Sequence, residues 1–154
     1  MLSTTSQYAL RALTELAGQP PGQPMLGRDL AAQADIPANY LSKILLSLRN
    51  AGILATTRGS GGGYRLERKP SEIRLIEVVE VFDAPRARPD CLLGEGECSD
   101  DKACSAHHAW KQIRQSYISF LETTTLAEIS GRPAVALDSV AATAARQPIG
   151  GSQP

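Results

Sequence analysis

Four glycines in five residues, Gly59-Ser60-Gly61-Gly62-Gly63, separate two short alternating stretches at about 53–57 and 64–67. Glycine reaches backbone angles that other residues resist, so the run predicts a turn joining two antiparallel strands. Before it, Leu41, Ile44, Leu45 and Leu48 recur at i, i+3, i+4 and i+7, which predicts a helix over about 38–51. Gly52 stands where a left-handed residue would close that helix. The glycine run is not a phosphate-cradling loop. Such a loop would open a helix and end in Lys-Ser/Thr, whereas Gly63 leads into the extended Tyr64-Arg65-Leu66.

The rest of the chain reads mainly as helix. Ser3, Thr4, Thr5 and Ser6 offer hydroxyl caps, and Tyr8, Ala9, Ala12, Leu13 and Leu16 then follow at helical spacing until Gly18-Gln19-Pro20-Pro21-Gly22. A short helix over about 28–34 ends at Asp35-Ile36-Pro37, with Pro37 suited to the first position of the next helix. Leu75, Ile76, Val78, Val79 and Phe82 predict another short helix over 75–82. Trp110, Ile113, Tyr117, Phe120 and Leu121 form a stripe on a long helix expected over about 103–123. So little domain remains for this stripe to cover that a second copy of the chain is its expected partner. Leu126, Ala127 and Ile129 add one more turn.

The fold class is therefore mainly α with a small β-hairpin wing: a winged helix-turn-helix plus a long dimerisation helix. Its expected parts are a winged-helix unit over 1–84, a cysteine-bearing loop over 85–108, a dimerisation helix and short C-terminal helix over 103–131, and a disordered tail over 132–154.

Charge supports this division. The 154 residues carry 16 Lys/Arg and 16 Asp/Glu, yet residues 1–69 hold eight basic residues against four acids. A basic front half suits a nucleic-acid partner. The outer face of the helix over 38–51 would enter the major groove of double-stranded DNA, with Asn39, Tyr40, Ser42 and Lys43 in its first turns. Arg58, at the base of the hairpin, could enter a narrow minor groove, and the glycine tip would let the backbone approach a phosphate. Arg28, Ser60 and Gly61 complete the DNA-facing set. No apolar run follows a basic head at the N-terminus, and no stretch has the length of a membrane span, so a cytoplasmic address is expected.

All three cysteines lie in Cys91-x6-Cys98-x5-Cys104-x2-His107. Thiolates with an imidazole suit an iron–sulfur cluster or a zinc ion. Zinc sites usually bring ligands in closer pairs than these gaps of six and five, which favours a cluster. A structural zinc ion or a thiol redox switch remains the alternative. Glu95, Glu97, Asp100 and Asp101 read as solvated loop charge, His108 as a residue that hydrogen-bonds beside the ligands or faces solvent, and Trp110 as core. No catalytic constellation is present, so the chain does not read as an enzyme.

Several of these segments together resemble the Rrf family of bacterial regulators, the group that includes IscR and NsrR. They are Tyr8-Ala9-Leu10-Arg11-Ala12-Leu13, Ile36-Pro37-x-x-Tyr40-Leu41-x-Lys43-Ile44-Leu45, Arg58-Gly59-x-Gly61-Gly62-Gly63-Tyr64 and the cysteine segment. The resemblance covers about residues 2–130. It implies a winged-helix homodimer on a partly palindromic operator, with an iron–sulfur cluster on Cys91, Cys98, Cys104 and His107, [2Fe-2S] favoured over [4Fe-4S]. The signal would be cluster status, redox or nitric oxide. Three positions depart from the pattern. The first cysteine gap is x6 where IscR-like members have x5. Gln7 stands where NsrR-like members carry an acid that serves a four-iron cluster. Ser42 replaces an acid that tunes sequence choice.

Overall fold

The computed structural model describes residues 2–87, 91–93 and 99–131. In chain order the elements are α1 (Thr4–Ala17), α2 (Gly27–Ala34), α3 (Ala38–Asn50), β1 (Leu54–Thr57), β2 (Gly63–Leu66), α4 (Leu75–Glu80), α5 (His107–Thr123) and α6 (Leu126–Ser130). Single 3-10 turns occupy Pro70–Glu72 and Asp100–Lys102. The expected tail, 132–154, and Cys98 lie outside the described residues.

The apolar spacing explains the packing. Leu41, Ile44, Leu45 and Leu48 of α3 are buried against Ala9, Ala12, Leu13 and Leu16 of α1 and Leu30, Ala31 and Ala34 of α2. Removing such side chains from water is the main favourable term, about 2 kcal/mol for each fully buried leucine. Helix α1 starts where the Ser3 hydroxyl accepts from the Ser6 amide at 3.1 Å. The turn between α2 and α3 passes through Asp35 at φ 52°, a left-handed conformation that an aspartate tolerates. Arg11 locks it by donating to the carbonyls of Ala34 and Asp35 while its guanidinium lies 5.5 Å from the Tyr8 ring centroid.

Strands β1 and β2 pair antiparallel, with Leu54 opposite Leu66 and Thr57 opposite Gly63. Residue spacing carried no hint of a third partner. Met25 and Tyr64 exchange two backbone hydrogen bonds of 2.8 Å, which seats the hairpin on the segment entering α2. This close approach demands glycine at 63. A Cβ there would meet the Met25 carbonyl oxygen at 2.2 Å, and its φ is +143°. At Gly62 a Cβ would meet the Thr57 oxygen at 2.2 Å. Part of the glycine run is thus needed to build the hairpin itself.

Several boundaries differ from expectation. Pro37 is the N-cap rather than the first helical residue. Helix α4 stops at Glu80, two residues early, because the chain turns through Asp83 and a left-handed Ala84 at φ 43°. Helix α5 begins at His107 rather than near 103, because the 3-10 turn is followed by an extended Ala103 and a turn in which the His107 amide donates to the Cys104 carbonyl at 3.0 Å. The stripe on α5 also divides. Leu121 is buried with Leu75, Ile76 and Val79, and Tyr117 packs at the edge of that cluster. Ile113 and Phe120 stay more than half exposed, at 55% and 52%. Among the described residues no helix is long and apolar enough to cross a membrane.

Replacing Gly63 with Ala should destabilise the protein by about 2 kcal/mol or more, through combined backbone strain and collision. Gly59→Ala, at φ +98° but facing open space, should cost less. Thermal unfolding of the two variants measures the difference; equal midpoints would show that the Met25 contact does not constrain position 63.

Candidate functional site

Helix α3 and the hairpin place most of the expected DNA-facing residues on open surface. Asn39, Ser42 and Lys43 are exposed on the face of α3 opposite the buried leucines. The Ser42 hydroxyl donates to the Asn39 carbonyl at 2.9 Å, one turn back. Arg28 is exposed in the first turn of α2, with its Nε 3.6 Å from Asp29. Arg58, Ser60 and Gly61 are exposed around the hairpin tip.

Tyr40 is engaged differently. Its hydroxyl lies 2.8 Å from Thr5 Oγ1, and its ring meets Tyr8 edge-on at 5.6 Å between centroids. Both partners belong to α1, so this side chain fixes the angle at which α3 leaves the body. Nothing in sequence spacing revealed these contacts, because they join residues 35 and 32 positions apart. Leu46, which sequence reading passed over, is half exposed on the same outer face of α3.

The cysteine segment leads into the head of α5. Cys91 and Cys104 are half-buried and form no disulfide among the described residues. His107 is buried, at 3% exposure, as the first residue of α5. Its Nε2 lies 2.7 Å from Asp100 Oδ1, and Lys111 Nζ donates to both Asp100 carboxylate oxygens at 2.9 Å. Lys111 first, then His107, stabilises the Asp100 carboxylate and draws its pKa down to about 2. Asp100 is thus solvated, as expected, and is in addition bonded to two residues of α5. His108 is exposed, its ring 5.4 Å from that of His107, and Trp110 is half-buried rather than core.

The segment is tethered to α5 at its other end as well. Arg86 Nε and Nη2 donate to Glu122 Oε1 at 3.0 and 2.6 Å, and Arg114 Nη2 donates to the Pro85 carbonyl at 3.4 Å.

Thiols and an imidazole anchored on a carboxylate suit an iron–sulfur cluster in donor chemistry. Among the described residues, no three His, Cys, Asp or Glu side chains gather into a metal-binding group. The set Cys91, Cys98, Cys104 and His107 requires the third thiol, which is outside those residues.

If Tyr40 braces α3, Tyr40→Ala should lower stability by about 1 kcal/mol, as loss of a ring contact and a hydrogen bond implies. Lys43→Ala should stay within about 0.5 kcal/mol of the parent, as usual for exposed surface. Urea unfolding of both variants tests this, and equal stabilities would remove the bracing role.

Comparison with known proteins agrees with the architecture. The Rrf2 family, described as iron-dependent transcriptional regulators, matches residues 2–132. An rrf2-like helix-turn-helix transcriptional regulator of Rhodobacter capsulatus is 32% identical, over 89% of this chain and 98% of that one. The regulator IscR of Aliivibrio salmonicida is 32% identical over 83% of this chain and 76% of its own. Among solved structures, CymR, the global cysteine regulator of B. subtilis, superposes with a TM-score of 0.72 at 27% identity, covering 84% of this chain and 95% of that one. T. potens IscR shares the fold, with a TM-score of 0.67 at 23% identity over 84% and 85% of the two chains. These relatives are transcriptional regulators, not enzymes. The chain belongs to the Rrf2 family of DNA-binding, winged-helix transcriptional regulators.

Proposed function

We propose that this regulator reads its operator as a homodimer and takes its signal through an iron–sulfur cluster on Cys91, Cys98, Cys104 and His107, [2Fe-2S] in preference to [4Fe-4S]. One observation carries the reading. Every cysteine of the chain falls in the segment leading into α5, and the first residue of that helix is a buried imidazole held by a carboxylate. The matched family's iron-dependent description and the IscR relatives agree with it. Cys3His ligation reduces the negative charge around a cluster relative to four thiolates and raises its reduction potential, which suits a centre that must respond.

Residues 1–84 then act as the DNA reader. Asn39, Ser42 and Lys43 reach base edges and phosphates in the major groove, while Arg28, Arg58, Ser60 and Gly61 meet the flanking backbone and minor groove. Tyr40 contributes by setting the pose of α3. Residues 103–131 supply the dimer contact. The exposed Ile113 and Phe120 lie on the face of α5 that its own domain leaves uncovered, and a second copy would bury them. Two reading helices set about 34 Å apart would then fit a partly palindromic site. The segment 85–108 is tied to α5 at both ends, so a change in its occupancy can alter the angle between the two readers. Such a role puts the protein in the cytoplasm, where thiols remain reduced.

A structural zinc ion or a thiol switch is the second reading, favoured by the likeness to a cysteine regulator. Anaerobic purification separates the two. The cluster reading expects iron and acid-labile sulfide in equal amounts, visible absorption, and loss of both when all three cysteines are replaced by Ala. Stoichiometric zinc in a colourless protein, or no metal, would contradict it.

A further inference from the structure

The open face of α3 carries an apolar side chain at its centre. Asn39, Ser42, Lys43, Leu46, Arg49 and Asn50 lie on successive turns of this helix, and all are exposed. Leu41, Ile44, Leu45 and Leu48 are buried on the opposite side, whereas Leu46 remains 50% exposed. Lys43 precedes it by one turn and Arg49 follows it by one turn, and no acidic residue occurs in α3. The hydroxyl protons beside it are already engaged. Ser42 donates to the Asn39 carbonyl at 2.9 Å, and Ser47 donates to the Lys43 carbonyl at 3.2 Å. Two cations that suit phosphates therefore bracket a leucine that gains nothing from phosphate.

We propose that Leu46 is a specificity-determining residue that packs on the C5-methyl group of a thymine in the major groove. The proposal rests on α3 being the reading helix and deepens that reading. Base edges in the major groove present hydrogen-bond donors and acceptors, and the thymine methyl is their one apolar group. Leucine set against that methyl removes apolar surface on both sides from water. Set against the amino group of cytosine or the O6 of guanine, leucine strips water from a polar group and returns no hydrogen bond. Leu46 thus selects thymine both by attraction and by exclusion of the alternatives. The seven residues from Asn39 to Leu46 span about 10 Å of helix. With α3 lying along the groove, Leu46 meets a different base pair from the one that Asn39 meets.

The test uses the full chain and the duplex that the parent protein enriches most strongly from a random-sequence pool. Each thymine of that duplex is replaced in turn by deoxyuridine, which lacks only the methyl group. Affinity is read by fluorescence anisotropy at one salt concentration for the parent, L46A, L46Q and K43A, and thermal unfolding reports whether each variant folds. At one thymine position, deoxyuridine should weaken binding of the parent about 4-fold, the effect of returning one methyl-sized group to water. L46A and L46Q should show no such effect there, because side chain and methyl act as a pair. K43A should keep it. Enrichment repeated with L46A should no longer retain thymine at that position. Equal deoxyuridine effects in the parent and a folded Leu46 variant would overturn the proposal. So would a parent indifferent to deoxyuridine at every thymine, or loss of the effect in K43A, which would trace it to the pose of the helix. A parent that enriches no sequence overturns this proposal and the α3 reading together. A parent that enriches a site while L46A enriches the same one overturns this proposal alone.

Discussion

Burial of the α3 stripe is the contact on which the other features depend. Leu41, Ile44, Leu45 and Leu48 face α1 and α2, and with period 3.6 this forces Asn39, Ser42, Lys43 and Leu46 outward. The polar contacts around the stripe then set its orientation. Arg11 closes the α2–α3 turn on the Ala34 and Asp35 carbonyls, and Tyr40 ties the first turn of α3 to Thr5 and Tyr8. The hairpin takes its place from the same body through the Met25–Tyr64 pairing. A helix so framed presents its exposed face as one surface, as the proposed reading of fixed base edges would require.

Helix α5 joins two regions of very different character. Its C-terminal end is part of the domain, with Leu121 buried beside α4 and the Thr124 carbonyl accepting from the Leu75 amide at 3.0 Å. Among the described residues, its N-terminal turns meet the cysteine segment through polar contacts: Asp100 to His107 and Lys111, and Pro85 to Arg114. Apolar packing at one end and a few hydrogen bonds at the other give an element that is anchored where stability is needed. Contacts of this kind are individually weak near water, so a change in the segment costs little to propagate.

How much could be read from sequence follows from the range of each interaction. The α3 stripe, the hydroxyl caps before α1 and the glycine hairpin rest on near-neighbour periodicity and backbone sterics, so they were legible. The Tyr40–Thr5 and Met25–Tyr64 contacts join distant segments and left no local trace. The start of α5 was misplaced because Ala103 and Ala106 favour a helix, and the turn bonding His107 to Cys104 overrides that preference. The bonds from Asp100 to α5 were hidden for a similar reason. Its partners face it only once the 3-10 turn has folded back onto the helix. The glycine run was legible as a turn, but the need for Gly63 against the Met25 carbonyl was not, since it depends on a strand contact outside the hairpin.

A cluster that governs DNA binding must obey reciprocal linkage: DNA and cluster change each other's affinity by the same factor. The direct measurement is operator affinity of the cluster-loaded and cluster-free protein, at one salt concentration and without oxygen, by fluorescence anisotropy. A difference of about 5- to 150-fold is expected, the usual span of such coupling, with cluster release from the DNA-bound protein altered in the matching direction. Equal affinities in the two states would contradict the claim that this segment carries the signal.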